Sequence, residues 1–216
     1  MKRRILGIAL ALAVGSASSA GATPFTNGSF ELGAADPGMY QTLAVGSQGI
    51  TGWEVFGNNI DYVGSFWQAA DASRSIDLNG NSGPGGIRQT FDTVAGVLYF
   101  VTFDFAGHGP PNQQFRLNVR FGNTISHMAF LAAPDSTRDD MGWRPMTLEF
   151  RAMDSLTTLS FISTTDSLSF GPAIDNVSVT QAVDAAPVPE PATMTLLGLG
   201  LVGIALRRRS RAFRSA

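Results

Sequence analysis

Between residues 23 and 181 no segment keeps a helical period for three turns, because Gly, Pro, Asn and Asp cut the apolar runs about every 8 to 12 residues. That punctuation leaves room for strands and little else. In Phe115-Arg116-Leu117-Asn118-Val119-Arg120-Phe121 the odd positions are apolar and the even ones polar, so one face is core and the other wet. Met146 to Arg151 alternates likewise, and Tyr99 to Phe105 puts Tyr99, Val101, Phe103 and Phe105 on one side. Further strands are expected over Phe25 to Phe30, Trp53 to Phe56, Ile60 to Val63, Ser75 to Leu78, Ile87 to Phe91, Leu156 to Ile162 and Ile174 to Val179. About ten short strands in one segment of this length predict an all-β fold, a two-sheet jelly-roll β-sandwich.

Charge and composition narrow the chemistry. From Thr23 to Pro187 seven basic residues stand against sixteen acidic ones, with no lysine, so the segment repels polyphosphate and nucleic-acid binding is not expected. With no cysteine in the chain, disulfides, thiolate metal sites and cysteine nucleophiles are excluded.

The two ends differ from the middle. Lys2, Arg3 and Arg4 precede an apolar stretch from Ile5 to Val14 and then a run of small residues, the plan of a secretory signal peptide over 1–22. At the other end a Pro-rich linker, 182–191, leads into 15 uncharged residues, Ala192 to Leu206, and a basic tail, 207–216. A helix over 192–206 reaches about 22 Å, short of a ~30 Å hydrocarbon core, so it is a marginal transmembrane anchor. The arginines keep their side cytoplasmic and leave 23–181 across the membrane.

Pro189-Glu190-Pro191, the run Thr195 to Leu201 and the cluster Arg207, Arg208 and Arg209 resemble the PEP-CTERM sorting signal of Gram-negative bacteria. That resemblance implies export across the inner membrane, with signal peptidase and an exosortase as processing partners. It also implies only transient membrane association through the sorting helix, and delivery to the cell surface or extracellular matrix.

Within the middle segment, Asn27-Gly28-Ser29-Phe30-Glu31, Ile50-Thr51-Gly52-Trp53, Ile60-Asp61-Tyr62-Val63-Gly64, Phe66-Trp67-Gln68-Ala69-Ala70, Ser75-Ile76-Asp77-Leu78-Asn79-Gly80, Met141-Gly142-Trp143 and Gly171 to Val177 are similar in order and spacing to the choice-of-anchor C family, related to DUF642. The likeness implies a galactose-binding-like sandwich. It departs at Gly107-His108-Gly109-Pro110, where Asn is expected in place of His108.

Strand alternation places Asp175 on the side of Val177 and Val179, the expected core face. A buried carboxylate needs partners. In galactose-binding-like modules the matching late Asp and early Glu, here Asp175 and Glu31, join carbonyls around a structural calcium; the other reading is that Asp175 accepts backbone N–H bonds or sits at a solvated strand end. Asp77-Leu78-Asn79-Gly80-Asn81 has oxygens at alternate positions, but Ser82 and Arg88 stand where a calcium loop needs Gly and an acid, so it reads as a turn.

A sugar binder stacks pyranose C–H faces on aromatic rings while amides and carboxylates bond the hydroxyls. Trp67 is the expected platform, with Tyr62, Gln68 and Asp71 beside it and Arg88 and Gln89 as further candidates; core packing is the alternative for Trp67. His108 and His127 belong to no recognisable catalytic or metal motif. These observations point to a secreted, non-enzymatic protein that binds or organises polysaccharide. The alternatives are a purely structural matrix protein and a hydrolase of extracellular glycans.

Overall fold

The computed structural model describes residues 23–33, 36–110, 112–132 and 135–182; the signal peptide, the sorting helix, the basic tail and all but Ala182 of the linker lie outside them. Among the described residues the chain forms strands and no helix. They are β1 Tyr40–Leu43, β2 Glu54–Phe56, β3 Ile60–Val63, β4 Ser75–Asp77, β5 Gly86–Asp92, β6 Leu98–Gly107, β7 Gln114–Phe121, β8 Thr124–Leu131, β9 Arg144–Arg151, β10 Leu156–Ser163 and β11 Pro172–Gln181. Two antiparallel sheets result, one ordered β1-β3-β4-β11-β6-β9 and the other β2-β5-β10-β7-β8. This is the expected two-sheet β-sandwich.

The main core fills the space between the sheets, as the alternation requires. Phe115, Leu117, Val119 and Phe121 of β7 face Tyr99, Val101, Phe103 and Phe105 of β6, all in one buried cluster. Phe103 meets Phe161 of β10 edge to face at 5.1 Å, and Phe121 stacks on Phe150 of β9 at 5.5 Å. Such aromatic pairs add about 0.5–1.5 kcal/mol each beyond the area they bury.

Three departures from the sequence expectation have local causes. Phe25 to Phe30 is not a strand: Asn27 and Phe30 take positive φ, and the Asn27 amide donates to the Leu32 and Thr51 carbonyls at 2.8 Å each. Phe25 still packs on Trp53 and Phe91. Strands β1 and β8 were not expected; both are sheet edges with mostly exposed or half-buried residues, so neither carries a clean apolar alternation.

The third departure is the facing of Asp175. Ile174 and Val177 both point into the main core, which strict alternation forbids. A β-bulge lies between them: Asp175 pairs with Asp104 and Ser178 with Thr102, so β11 carries one residue more than β6. Asn176 holds the bulge at φ 50, accepted by Asn with little strain, and its amide donates to Asp104 Oδ2 at 3.0 Å. Asp175 therefore points to the outer face of the six-stranded sheet, away from the core side expected for it.

That outer face is itself covered. Residues 64–74 fold back over it, held where the N–H groups of Gly64, Ser65 and Phe66 donate to the Met39 and Gly38 carbonyls at 2.9–3.1 Å. Only glycine fits at 64, because a Cβ would sit 2.3 Å from the Gly38 oxygen. Val63, Trp67, Ala106, Met141 and Ala173 form a second small core beneath this cover, flanked by Phe66 and Trp143.

Replacing Asn176 by Val forces a β-branched residue into the left-handed region and removes the bond to Asp104, so we expect a loss of about 2 kcal/mol in urea unfolding. Asn176→Gly should stay within about 1 kcal/mol of the parent. Equal stability of the Val and Gly variants would show that the bulge does not depend on this residue's conformation.

Candidate functional site

The register of the six-stranded sheet sets Thr42, Asp61 and Asp77 side by side on its outer face, on β1, β3 and β4, followed by Ala173 and Ala106 on β11 and β6. The two alanines leave height above the sheet, and Trp67 and Met141 fill it. Over the Thr42-Asp61-Asp77 part the cover stays open, forming a cavity of about 250 Å³. Its aromatic lining is Tyr40, Phe66, Trp67 and Phe170; its polar lining is Thr42, Asp61, Asp77, Asn81, His108, Arg138 and Ser169.

The rings support one another. Phe66 packs edge-on to Tyr40 at 5.3 Å and tilts against Trp67 at 5.6 Å, while the Arg138 guanidinium sits 3.8 Å above the Phe66 ring centre. Trp67 is only 5% exposed, and its indole N–H donates to Ser75 Oγ at 2.8 Å. It is thus a core residue of the covering layer and a wall of the cavity at once.

Two carboxyl groups face one another across β3 and β4. Burial pushes the Asp61 carboxyl up from its ordinary range against the opposing hydroxyl bond from Thr42, 2.6 Å to Oδ1. Asp77 is raised much further, chiefly by burial, with the Asn79 and Gly171 N–H bonds pulling it down and the neighbouring Asp61 charge pushing it up. The close approach of Gly171 is possible because it lacks a side chain: a Cβ there would lie 2.2 Å from Asp77 Oδ1. His108 is lowered, first by burial and then by the Arg138 charge, so its imidazole is neutral at pH 7.

Glu31 and Asp175 perform a different task. Glu31 Oε1 accepts the Ser73 and Arg74 N–H groups at 2.9 and 2.7 Å, and Oε2 accepts the Ser73 hydroxyl at 2.7 Å. Asp175 Oδ2 accepts the N–H groups of Ala70 and Asp71 at 2.8 and 2.9 Å, and Oδ1 that of Asn176 at 2.6 Å. Both carboxylates therefore clasp the covering segment through N–H and O–H donors on three oxygens, and Asn176 of β11 satisfies the fourth. This donor set does not fit a calcium shell, which needs carbonyl and carboxylate oxygens turned toward the ion. Among the described residues no group of three or more His, Cys, Asp or Glu is placed to hold a metal. In the turn 77–81, Asp77 accepts from Asn79 N and Asn81 Oδ1 from Asn59, while Asn79 Oδ1 is buried without a hydrogen-bond partner.

The expected ligand residues fall in three places. Trp67 lines the cavity. Tyr62 turns into the main core, its hydroxyl donating to the Phe30 carbonyl at 2.5 Å and accepting from Arg74 at 2.7 Å. Gln68 ties the cover together, its backbone N–H bonding the Arg138 carbonyl at 2.7 Å and its own carbonyl accepting the Trp143 indole N–H at 2.9 Å. Asp71 contributes its N–H to Asp175. Arg88 and Gln89 lie on the other sheet beside a separate groove; Arg88 pairs with Glu54 at 2.6 Å and Gln89 bonds both backbone groups of Thr26. His127 also sits on that sheet, bonded to Asn118 at 2.7 Å, far in the fold from the strand row that holds Asp61 and Asp77. Asp61, Asp77, Arg138 and Tyr40 were not foreseen as site residues, because only the pairing of β3 with β4 brings the two carboxyls together.

This chain matches the family described as Protein of unknown function (DUF642) over residues 23–180, and it belongs to that family. Residues 187–209 match the PEP-CTERM protein-sorting motif. Halomucin of Haloquadratum walsbyi (strain DSM 16790 / HBSQ001) is 34% identical over 183 residues, which cover 82% of this chain and 2% of halomucin, so the chain spans a small part of that protein. Among solved structures, TmCBM61 in complex with β-1,4-galactotriose is similar at 15% identity and a TM-score of 0.41, covering 74% of this chain and 98% of that one. A family 35 carbohydrate binding module from Clostridium thermocellum is similar at 13% identity and a TM-score of 0.44, covering 66% and 99%.

Asp175 is pushed up to about 7 from the ordinary 3.8, burial outweighing its three N–H bonds. A carboxyl that holds its proton more tightly folded than unfolded stabilises the fold below about pH 4, and that contribution is lost as the pH rises through about 7. Asp77 acts in the same direction. The melting temperature should therefore fall between about pH 4 and 7, and Asp175→Asn should flatten the slope. Chelator should leave the melt at fixed pH unchanged; a chelator-dependent fall that Asp175→Ala abolishes would restore calcium to this site.

Proposed function

We propose that this chain is an exported, non-catalytic carbohydrate-binding protein of the cell surface or extracellular matrix, and that the cavity over Asp61 and Asp77 takes one sugar residue of an extracellular polysaccharide. The observation that carries the reading is the cavity itself. Aromatic faces at Tyr40 and Phe66 offer the apolar half of a sugar site, and carboxyl, amide and guanidinium groups offer the hydroxyl-bonding half, within a volume of about 250 Å³. That is below the ~300 Å³ where pockets for drug-sized ligands begin, and suits a single ring better than a chain. The sorting motif over 187–209 supports the location: signal peptidase and an exosortase would process the two ends, with the C-terminal residues holding the membrane only in transit.

The test is a glycan array and calorimetry with the full chain. Phe66→Ala and Tyr40→Ala remove stacking faces and should weaken binding about tenfold each while the fold persists. Trp67→Ala is a poor probe of binding, since it empties the second core and should cost about 3–5 kcal/mol in stability. Absence of glycan retention by the parent would sink the reading, and release of new reducing ends would replace it with a hydrolase.

A further inference from the structure

The cavity is built with its charges in balance. Its polar groups come from several sides: Asp61 and Asp77 from the sheet below, His108 from just past the end of β6, Arg138 from the connection between β8 and β9, and Asn81 and Ser169 from the flanking turns. Asp61 and Asp77 are direct partners in the β3–β4 register, and Asp77 is nearly closed off from water. Two neighbouring carboxyls in a buried setting disfavour double ionisation, through burial first and mutual repulsion second. Burial pushes the Asp77 carboxyl up much further than that of Asp61, so Asp61 is the first of the two to ionise. His108 is neutral, which leaves one carboxylate, Asp61, and one guanidinium, Arg138, as the charged groups of the lining.

Those two charges stay apart. Among the described residues the salt bridge found is Arg88 with Glu54, on the other sheet, while Arg138 lies over Phe66. The gap between Asp61 and Arg138 is the cavity. A ligand entering it lies between an acceptor side and a donor side that already compensate one another. A uronate brings a second negative charge beside Asp61, and an amino sugar a second positive charge beside Arg138; each unbalances a partly desolvated site.

We infer that the cavity selects an uncharged sugar residue over the corresponding uronic acid and amino sugar, with Asp61 and Arg138 as the specificity-determining pair. This rests on the carbohydrate reading above and deepens it. Asp61 accepts a hydroxyl through the oxygen not engaged by Thr42, protonated Asp77 donates to or accepts from an adjacent hydroxyl, and Arg138 donates from the opposite wall. Removing either member of the charged pair should redirect the site toward the opposite charge.

The test uses the full chain and matched sets of glucose, glucuronate and glucosamine, and of galactose, galacturonate and galactosamine, titrated by ligand-observed NMR at pH 7. The parent should bind the neutral member of at least one set about tenfold more tightly than its two charged relatives. Asp61→Asn, an isosteric change, should narrow or reverse the gap for the uronate alone. Arg138→Gln, on an exposed loop where folding is not at stake, should do so for the amino sugar alone. Preference of the parent for a charged member, or a uniform change across each set in both variants, overturns the inference while leaving the carbohydrate reading in place. Failure of every sugar to bind overturns both.

Discussion

The clasp that Glu31 and Asp175 place on residues 70–74 is the interaction on which the rest of the outer layer depends. Five N–H groups and one hydroxyl converge on two carboxylates that come from opposite ends of the domain sequence. Without such a hold a segment of this length would lie in solvent, because its few apolar groups repay little of the entropy lost on ordering it. With it, Trp67 and Phe66 are pressed onto the sheet and the six-stranded sheet acquires a second buried face. The charge is costly to bury, and the raised Asp175 carboxyl registers that cost.

The bulge at Asn176 couples this clasp to the core. One additional residue in β11 lets Ile174 and Val177 both serve the sandwich while Asp175 serves the cover. A regular strand could not do both, since its side chains alternate strictly. The same sheet register then lines up Thr42, Asp61 and Asp77 under the open part of the cover. Site and scaffold thus share strands, which holds the polar floor of the cavity more rigidly than loops alone would.

Much of the architecture was legible beforehand. The interior strands β6, β7 and β10 have partners on both sides, and β9, though an edge, turns Met146, Leu148 and Phe150 toward the core, so their periodicity is strong. Edge strands β1 and β8 bury little and were silent. Trp67 was legible as an aromatic of interest, and both of its readings hold, because it is a core residue whose edge reaches the cavity. Tyr62, Arg88 and Gln89 look equally suitable in one dimension, yet the fold sends Tyr62 to the interior and the other two to the opposite sheet. Asp61 and Asp77, 16 residues apart in sequence, read as ordinary polar positions until β3 and β4 pair.

What the amino-acid order determined by itself is the class of fold, the polar and apolar faces of the long strands, the exclusion of thiol chemistry and the sorting motif after the domain. These are local properties, set by period, turn residues and composition over a few neighbours. Which face Asp175 takes, which carboxyls meet, and which of the candidate aromatics borders a cavity were decided only in three dimensions. A single added residue in a bulge inverts the sides of a strand, and the register that pairs distant strands is settled by packing the whole sandwich at once.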